Sequence, residues 1–296
     1  MGPRTALAPA KVNLFLHVGP LDADGYHPLA SLVAFADVGD PVTMEAADRL
    51  SLAVTGPFAA GLSGQDDNLI LRALRALGEA TGTGPPALKV TLDKRMPIAA
   101  GLGGGTSDAG AALKLARDLL GLDLDDDALA GIAAVIGADG PMCLHARTAW
   151  AEGRGDRLGF ETRLPCLSTL LVNPGVPSPT GAVYRAYDAG PARTADRPDA
   201  PADWSPSGVI DWLSGQRNDL QAPAVALEPR IGEALAATAA LPGARLTRMS
   251  GSGATVFALF DDVQAATAAG AALRAARRGW WIEAARLGGA DATDRP

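Results

Sequence analysis

The run Pro97 to Asp108, PIAAGLGGGTSD, concentrates much of the chemistry that this sequence offers. Four of the five residues from Gly101 to Gly105 are glycine. Lacking a Cβ, such a backbone can turn through positive φ and converge several N–H groups on a phosphate at the positive end of a following helix. A Walker loop would end in Gly-Lys-[Ser/Thr] and a protein-kinase loop would have its companion Asp-Phe-Gly; neither is present. A dinucleotide fingerprint fits poorly, because Thr106 stands where the last glycine would be. The plain alternative is a flexible loop, with Thr106, Ser107 and Asp108 as residue types that cap the next helix.

Only four of the 26 basic residues are lysines, so each invites a reason. Lys11 opens an alternating run to Val18, with Asn13 two positions on and therefore on the same strand face. Beside a hydroxyl nucleophile, a lysine can polarise the oxygen and offset charge during phosphoryl transfer, while an asparagine holds a neighbouring oxygen. A solvated lysine guarding a strand edge is the alternative. Asp139 lies in a glycine-framed turn, Gly137-Ala138-Asp139-Gly140-Pro141, directly after an apolar helical stretch. Phosphoryl transfer needs a carboxylate to accept or orient the hydroxyl proton, although aspartate also serves ordinary Asx turns. Tyr26 and His27 leave the Asp24-Gly25 turn together, a pairing suited to stacking on a base and reading its edge, or simply to surface packing. Met249 to Ala254 forms a second glycine turn that could close over a phosphate or substrate.

The elements that must position these groups follow from periodicity. Strands are expected at Lys11 to Val18, Pro28 to Phe35, Val42 to Met44, Leu50 to Val54, Leu88 to Leu92, Thr148 to Glu152, Leu167 to Val172, Thr255 to Phe260 and Trp280 to Arg286. Helical spacing covers Asn68 to Thr81, Ser107 to Leu120, Asp125 to Ile136, Arg230 to Ala240 and Val263 to Arg278. Ala189 to Pro206, rich in Pro, Ala and Asp, reads as a loop or insertion. Strands and helices are mixed, as in an α+β protein.

With 296 residues, 48% of them apolar and 20% charged, the chain predicts a soluble globular protein of one large or two ordinary domains. A formal charge of −7 without a basic block argues against nucleic-acid and anionic-membrane partners. Two cysteines are too few for a disulfide framework, and no segment has the length of a signal peptide's apolar region or a membrane span. A cytoplasmic location is the expectation.

Together these segments resemble the GHMP kinase superfamily along most of the chain. The motifs are Pro9 to Leu16 leading to Asp24-Gly25-Tyr26-His27, then Pro97 to Asp108, Gly137-Ala138-Asp139 and Ser250 to Ala254, with Asp67 to Ile70, Asn173 to Val176, Pro179-Thr180 and Asn218 to Leu220 as further pieces. The resemblance implies an α+β, two-domain GHMP kinase fold: a ribosomal protein S5 domain 2-like N-terminal, ATP-binding domain over 1–158 and a ferredoxin-like C-terminal, substrate-side domain over 159–296. It implies Lys11 and Asp139 as the catalytic pair. ATP would be held by Pro97, Ile98, Ala99, Ala100, Gly101, Leu102, Gly103, Gly104, Gly105, Thr106 and Ser107, with Asn68 and Leu69 near adenine. Mg²⁺ is an implied cofactor; Thr106 or Ser107 could approach it, and its ligand set stays open. The Asp-Gly-Tyr-His element narrows the resemblance to kinases whose small-molecule substrate carries a cytidine diphosphate group. On that reading Tyr26 and Tyr184 sandwich cytosine, Asn13, His27 and Thr180 contact the substrate, and the reacting group is the 2-hydroxyl of a methylerythritol moiety on the non-mevalonate route to isoprenoids. Ala99, Ala100 and Gly140 depart from the family pattern, and Tyr184 replaces its usual phenylalanine. Rival readings are a GHMP kinase for another alcohol, a silent nucleotide sensor and a dehydrogenase. Oligomeric state is not legible.

Overall fold

The computed structural model describes residues 2–62, 67–191 and 193–289. The chain forms β1 (Arg4–Val18), β2 (Leu29–Ala46), β3 (Ser51–Thr55), α1 (Leu69–Ala80), β4 (Leu88–Asp93), α2 (Gly104–Leu120), α3 (Asp126–Ala133) and α4 (Gly140–His145). It continues through β5 (Ala149–Gly153), β6 (Arg157–Phe160), β7 (Leu167–Asn173), α5 (Thr180–Asp188), α6 (Pro206–Ser214) and α7 (Gln221–Leu227). The last elements are α8 (Pro229–Ala239), β8 (Leu246–Met249), β9 (Val256–Phe260), α9 (Val263–Ala276) and β10 (Trp281–Leu287). Two compact units result: Met1–Ala10, Val38–Ile98 and Gly103–Ala146 make the first, and Lys11–Asp37, Ala99–Leu102 and Arg147–Pro296 the second.

In the first unit the later part of β2 pairs antiparallel with β4, Val42 opposite Leu92 through Ala46 opposite Leu88, and β3 runs parallel to β4. β4 buries Leu88, Val90 and Leu92 and turns the alternate residues outward, the period of two expected of a half-buried strand. On α1, buried Ile70, Ala73, Leu74 and Leu77 recur at helical spacing, and Asn68 caps the start by accepting from Ile70 N at 2.9 Å. These faces enclose one apolar core with Leu113, Ala116 and Leu129.

In the second unit the earlier part of β2 pairs with β5, and β5 with β6. β10, β7, β9 and β8 are joined antiparallel, with Trp281 opposite Asn173 and Leu171 opposite Phe257. α9 buries Ala266, Ala269 and Leu273 among Leu170, Val172, Ala258, Phe260 and Ile282. A separate cluster joins Leu16 and Val18 to Val183, Tyr187, Leu220, Ile231 and Val256.

Several elements differ from the sequence expectation. Val42 to Met44 is not a separate strand but the continuation of β2. α2 begins at Gly104, so Thr106, Ser107 and Asp108 lie in its first turns rather than capping it; the cap position is Gly103 at φ 62, without a side-chain cap bond. Glycine reaches that left-handed φ without the Cβ clash that bars most residues. α4 hides behind Gly140-Pro141, which signal a turn, yet proline is tolerated in a helix's first turn. β8, with four residues, and α7, which contains Pro223, are too short or interrupted to show a period. The loop before α6 is tied down: Arg217 Nη2 donates to Thr194 O at 2.8 Å, Trp212 Nε1 to Asp199 O at 3.0 Å, and the Arg197 guanidinium sits 4.2 Å over the Trp150 ring. No helix among the described residues is long and apolar enough to cross a membrane.

Candidate active site

In the second unit, β1 delivers Lys11 and Asn13 beside two glycine turns. Lys11 N donates to Leu102 O at 2.8 Å, and Thr255 N to Ala100 O at 3.1 Å, so residues 99–102 are anchored on both sides. Ser250 ties the turns together, donating from Oγ to Gly101 O at 2.9 Å and accepting from Asn13 N at 3.2 Å. Gly101 has φ 74, and a Cβ there would collide with Ser250 O, so the position needs glycine twice over. Ala99, where the family pattern has glycine, occupies φ 51, a left-handed conformation that costs a residue with a Cβ about 1–2 kcal/mol. The second turn is held from below by Asn218, whose Nδ2 donates to Met249 O and Gly251 O, both at 2.8 Å. Thr180 joins it through a 2.9 Å bond between its hydroxyl and that of Ser252.

His27 and Tyr184 come together, ring centroids 5.0 Å apart. Both imidazole nitrogens of His27 have protein partners, Gly19 O at 2.9 Å and Asp188 Oδ1 at 3.2 Å, which fixes the ring on Tyr184. Tyr26 is 53% exposed and carries the Arg154 guanidinium 4.0 Å over its ring. Asp22 sets its backbone, accepting from Asp24 N and Tyr26 N in an Asx turn.

The first unit holds Asn68, Leu69, Pro97, Ile98, Gly103 to Ser107, and Asp139. Leu69 packs against the glycine run, since a Cβ on Gly105 would stand 3.3 Å from Leu69 Cδ1. Asp139 is half-buried at the cap position of α4, where its carbonyl accepts from Cys143 N at 2.9 Å and its side chain does not serve as the cap. Gly140, the departure beside it, admits no Cβ, which would fall on Ala133 O.

A buried charge cluster beneath α2 had no local signature. Lys94 Nζ bridges Asp40 Oδ2 at 2.5 Å and Asp108 Oδ2 at 2.8 Å, while Asp40 Oδ1 accepts from Arg95 N and Met96 N. One ammonium thus clamps both stems of the glycine run, residues 94–96 before it and Asp108 after it. Burial pushes the Asp108 carboxyl up to about 7 against the pull of Lys94; burial also opposes the Lys94 charge, but Asp108 and Asp40 outweigh it and raise Lys94. The rarity of lysine in this chain was the available clue. Arg248 was equally silent: buried, with its pKa lowered to about 10 by desolvation, it donates to Leu14 O, Leu213 O and Gln216 O and so pins β1 beside the second glycine turn.

Ser107 Oγ is buried without a hydrogen-bond partner at the start of α2, an oxygen whose pairing the protein itself does not supply. Together with the glycine run, that oxygen fits a nucleotide phosphate. A family model described as GHMP kinases N terminal domain matches residues 68–147, and one described as GHMP kinases C terminal matches 210–278. Kinases of the GHMP class are what this fold and these turns define. A relative from Caulobacter vibrioides named 4-diphosphocytidyl-2-C-methyl-D-erythritol kinase is 52% identical over 286 residues, covering 96% of this chain and 99% of its own. One of the same name from Methylobacterium radiotolerans is 50% identical, covering 93% and 96%. The chain belongs to the 4-diphosphocytidyl-2-C-methyl-D-erythritol kinase family within the GHMP kinases. A crystal structure of 4-(cytidine 5'-diphospho)-2C-methyl-D-erythritol kinase superposes with a TM-score of 0.77 at 36% identity, covering 97% of this chain and all of that one. Homoserine kinase from Cytophaga hutchinsonii, 19% identical with a TM-score of 0.66 and coverages of 98% and 96%, shares the fold.

Proposed function

We propose that the protein transfers the γ-phosphoryl group of ATP to the 2-hydroxyl of 4-diphosphocytidyl-2-C-methyl-D-erythritol, giving the 2-phosphate and ADP on the methylerythritol phosphate route to isoprenoid precursors. The observation that carries this reading is identity near 50% across almost the whole length of relatives with that activity in their name. ATP supplies the phosphoryl group, and Mg²⁺ would supply charge compensation beside Ser107 or Thr106. The backbone of residues 97–107 holds the phosphates, and Asn68 and Leu69 flank adenine. Asp139 accepts the proton of the attacking hydroxyl; Lys11 holds that hydroxyl and offsets the charge that builds on the transferring group. Tyr26 and Tyr184 sandwich cytosine, while Asn13, His27 and Thr180 contact the substrate, His27 also lying against the Tyr184 ring. Along the sequence, 1–158 serves as the ATP-binding domain and 159–296 as the substrate-side domain, acting in the cytoplasm.

The test is ADP release by the purified protein with Mg-ATP and, separately, the diphosphocytidyl substrate, homoserine, mevalonate or galactose. Turnover with the first alone supports the assignment. Turnover with another alcohol keeps the catalytic pair and removes the base sandwich, and no turnover with any of them sinks the reading.

A further inference from the structure

Asn13 is buried on β1, and its side chain meets a serine whose own proton is already committed. Ser31 Oγ donates to Phe15 O at 2.5 Å, and a carbonyl oxygen can only accept. Having spent its single proton there, Ser31 can only accept from Asn13, whose Nδ2 lies 2.8 Å away. The amide is therefore held in one orientation, NH₂ toward Ser31 and carbonyl away from it. The backbone of Asn13 is fixed by the same logic, because Ser250 spends its proton on Gly101 O and accepts from Asn13 N. What remains is Asn13 Oδ1, buried and without a protein partner, against the second glycine turn, where a Cβ on Gly251 would stand 3.3 Å from it. A buried carbonyl left without a donor is costly, so this oxygen is a place where a ligand's donor belongs.

We infer that Ser31 is a positioning residue that locks the Asn13 amide so that its carbonyl oxygen is offered as an acceptor to a hydroxyl of the substrate's polyol. The inference rests on the reading of Asn13 as a substrate contact. An acceptor at this point selects an O–H and rejects phosphate oxygens. Asn13 is also two residues from Lys11 on the same strand face, close to where the reacting hydroxyl is proposed to sit. Ser31 itself touches no substrate.

Steady-state kinetics on Ser31→Ala, Ser31→Thr and Asn13→Ala test it, with cytidine 5'-diphosphate as a competitive inhibitor that has the base but lacks the polyol. Ser31→Ala frees the amide to rotate and should raise the KM for the diphosphocytidyl substrate about five- to tenfold. The KM for ATP and the Ki of cytidine 5'-diphosphate should stay as in the wild type. Ser31→Thr keeps the hydroxyl and should restore the substrate KM. An unchanged substrate KM in Ser31→Ala, with a raised one in Asn13→Ala, overturns the orienting role and leaves Asn13 as a contact. No change in either variant removes the reading of Asn13 as well. Equal losses for both substrates with a lower melting temperature reduce Ser31 to packing, and weakened cytidine 5'-diphosphate inhibition moves the donor from the polyol to the base.

Discussion

At the residue scale, the proposed chemistry divides between a group that handles a proton and groups that only hold the substrate. Asp139→Asn keeps the side chain's shape and removes its capacity to accept a proton. Its kcat should fall about 10²- to 10⁴-fold while ATP affinity, read by calorimetry, stays within about threefold. A variant that retains more than a tenth of wild-type kcat would place the proton elsewhere. Tyr26 is 53% exposed, with the Arg154 guanidinium over its ring, so loss of the ring should spare the fold. Tyr26→Ala should raise the KM for the diphosphocytidyl substrate roughly tenfold, the worth of one stacked base, with a smaller fall in kcat. A dominant kcat loss would show that the ring acts on the reacting end instead.

At the element scale, the glycine runs work because other elements hold them. Gly101 is caught between Lys11 and Thr255 through its neighbours and beneath Ser250 directly, and it needs both positive φ and an absent Cβ. Gly101→Ala should therefore destabilise the protein by more than about 1 kcal/mol and raise the KM for ATP, measured by denaturant melts and initial rates. Wild-type values for both would mean that the turn rearranges freely. α2 is set by a buried hydrogen bond from Lys94 to Asp108 rather than by a side-chain cap. Lys94 holds Asp108 in its first turns and Asp40 on β2, so the stems of the glycine run share one anchor.

At the scale of the whole molecule, that anchor should leave a mark on stability. Asp108 has a folded pKa of about 7 against an ordinary 3.8, so between these values the native chain keeps a proton that the unfolded chain has released. Its stabilising contribution is complete below about pH 4 and is lost as pH rises through 7. Glu161, held down to about 2 chiefly by Arg163, behaves oppositely and loses its contribution only in acid, so it is constant between pH 5 and 8. The melting temperature of the wild type should thus drop from pH 5 to pH 8 by at least about 2 °C more than that of Asp108→Asn, in which the neutral state is permanent. Parallel pH curves for the two proteins would reject the buried-cluster account.

Local patterns were legible without coordinates. The glycine run at 97–108, the Asp-Gly-Tyr-His element, the glycine-framed turn at Asp139, and elements with several turns or strand periods such as α1, β4, β7 and α9 each follow from a short stretch of sequence. The start of α2, the helix behind Pro141 and the short β8 did not, because glycine, proline and brevity erase periodicity. Nor did the groups that hold the site in shape. Ser31 reads as one polar residue in an apolar strand, and becomes an orienting group only because strand packing places it 2.8 Å from Asn13. Ser250 reaches Asn13 across 237 positions of sequence, and Lys94 reaches Asp40 across 54. Which residues could react was written in their types and neighbours along the chain; which way an amide faces, and which charge anchors a loop, depended on partners that only folding brings within hydrogen-bond distance.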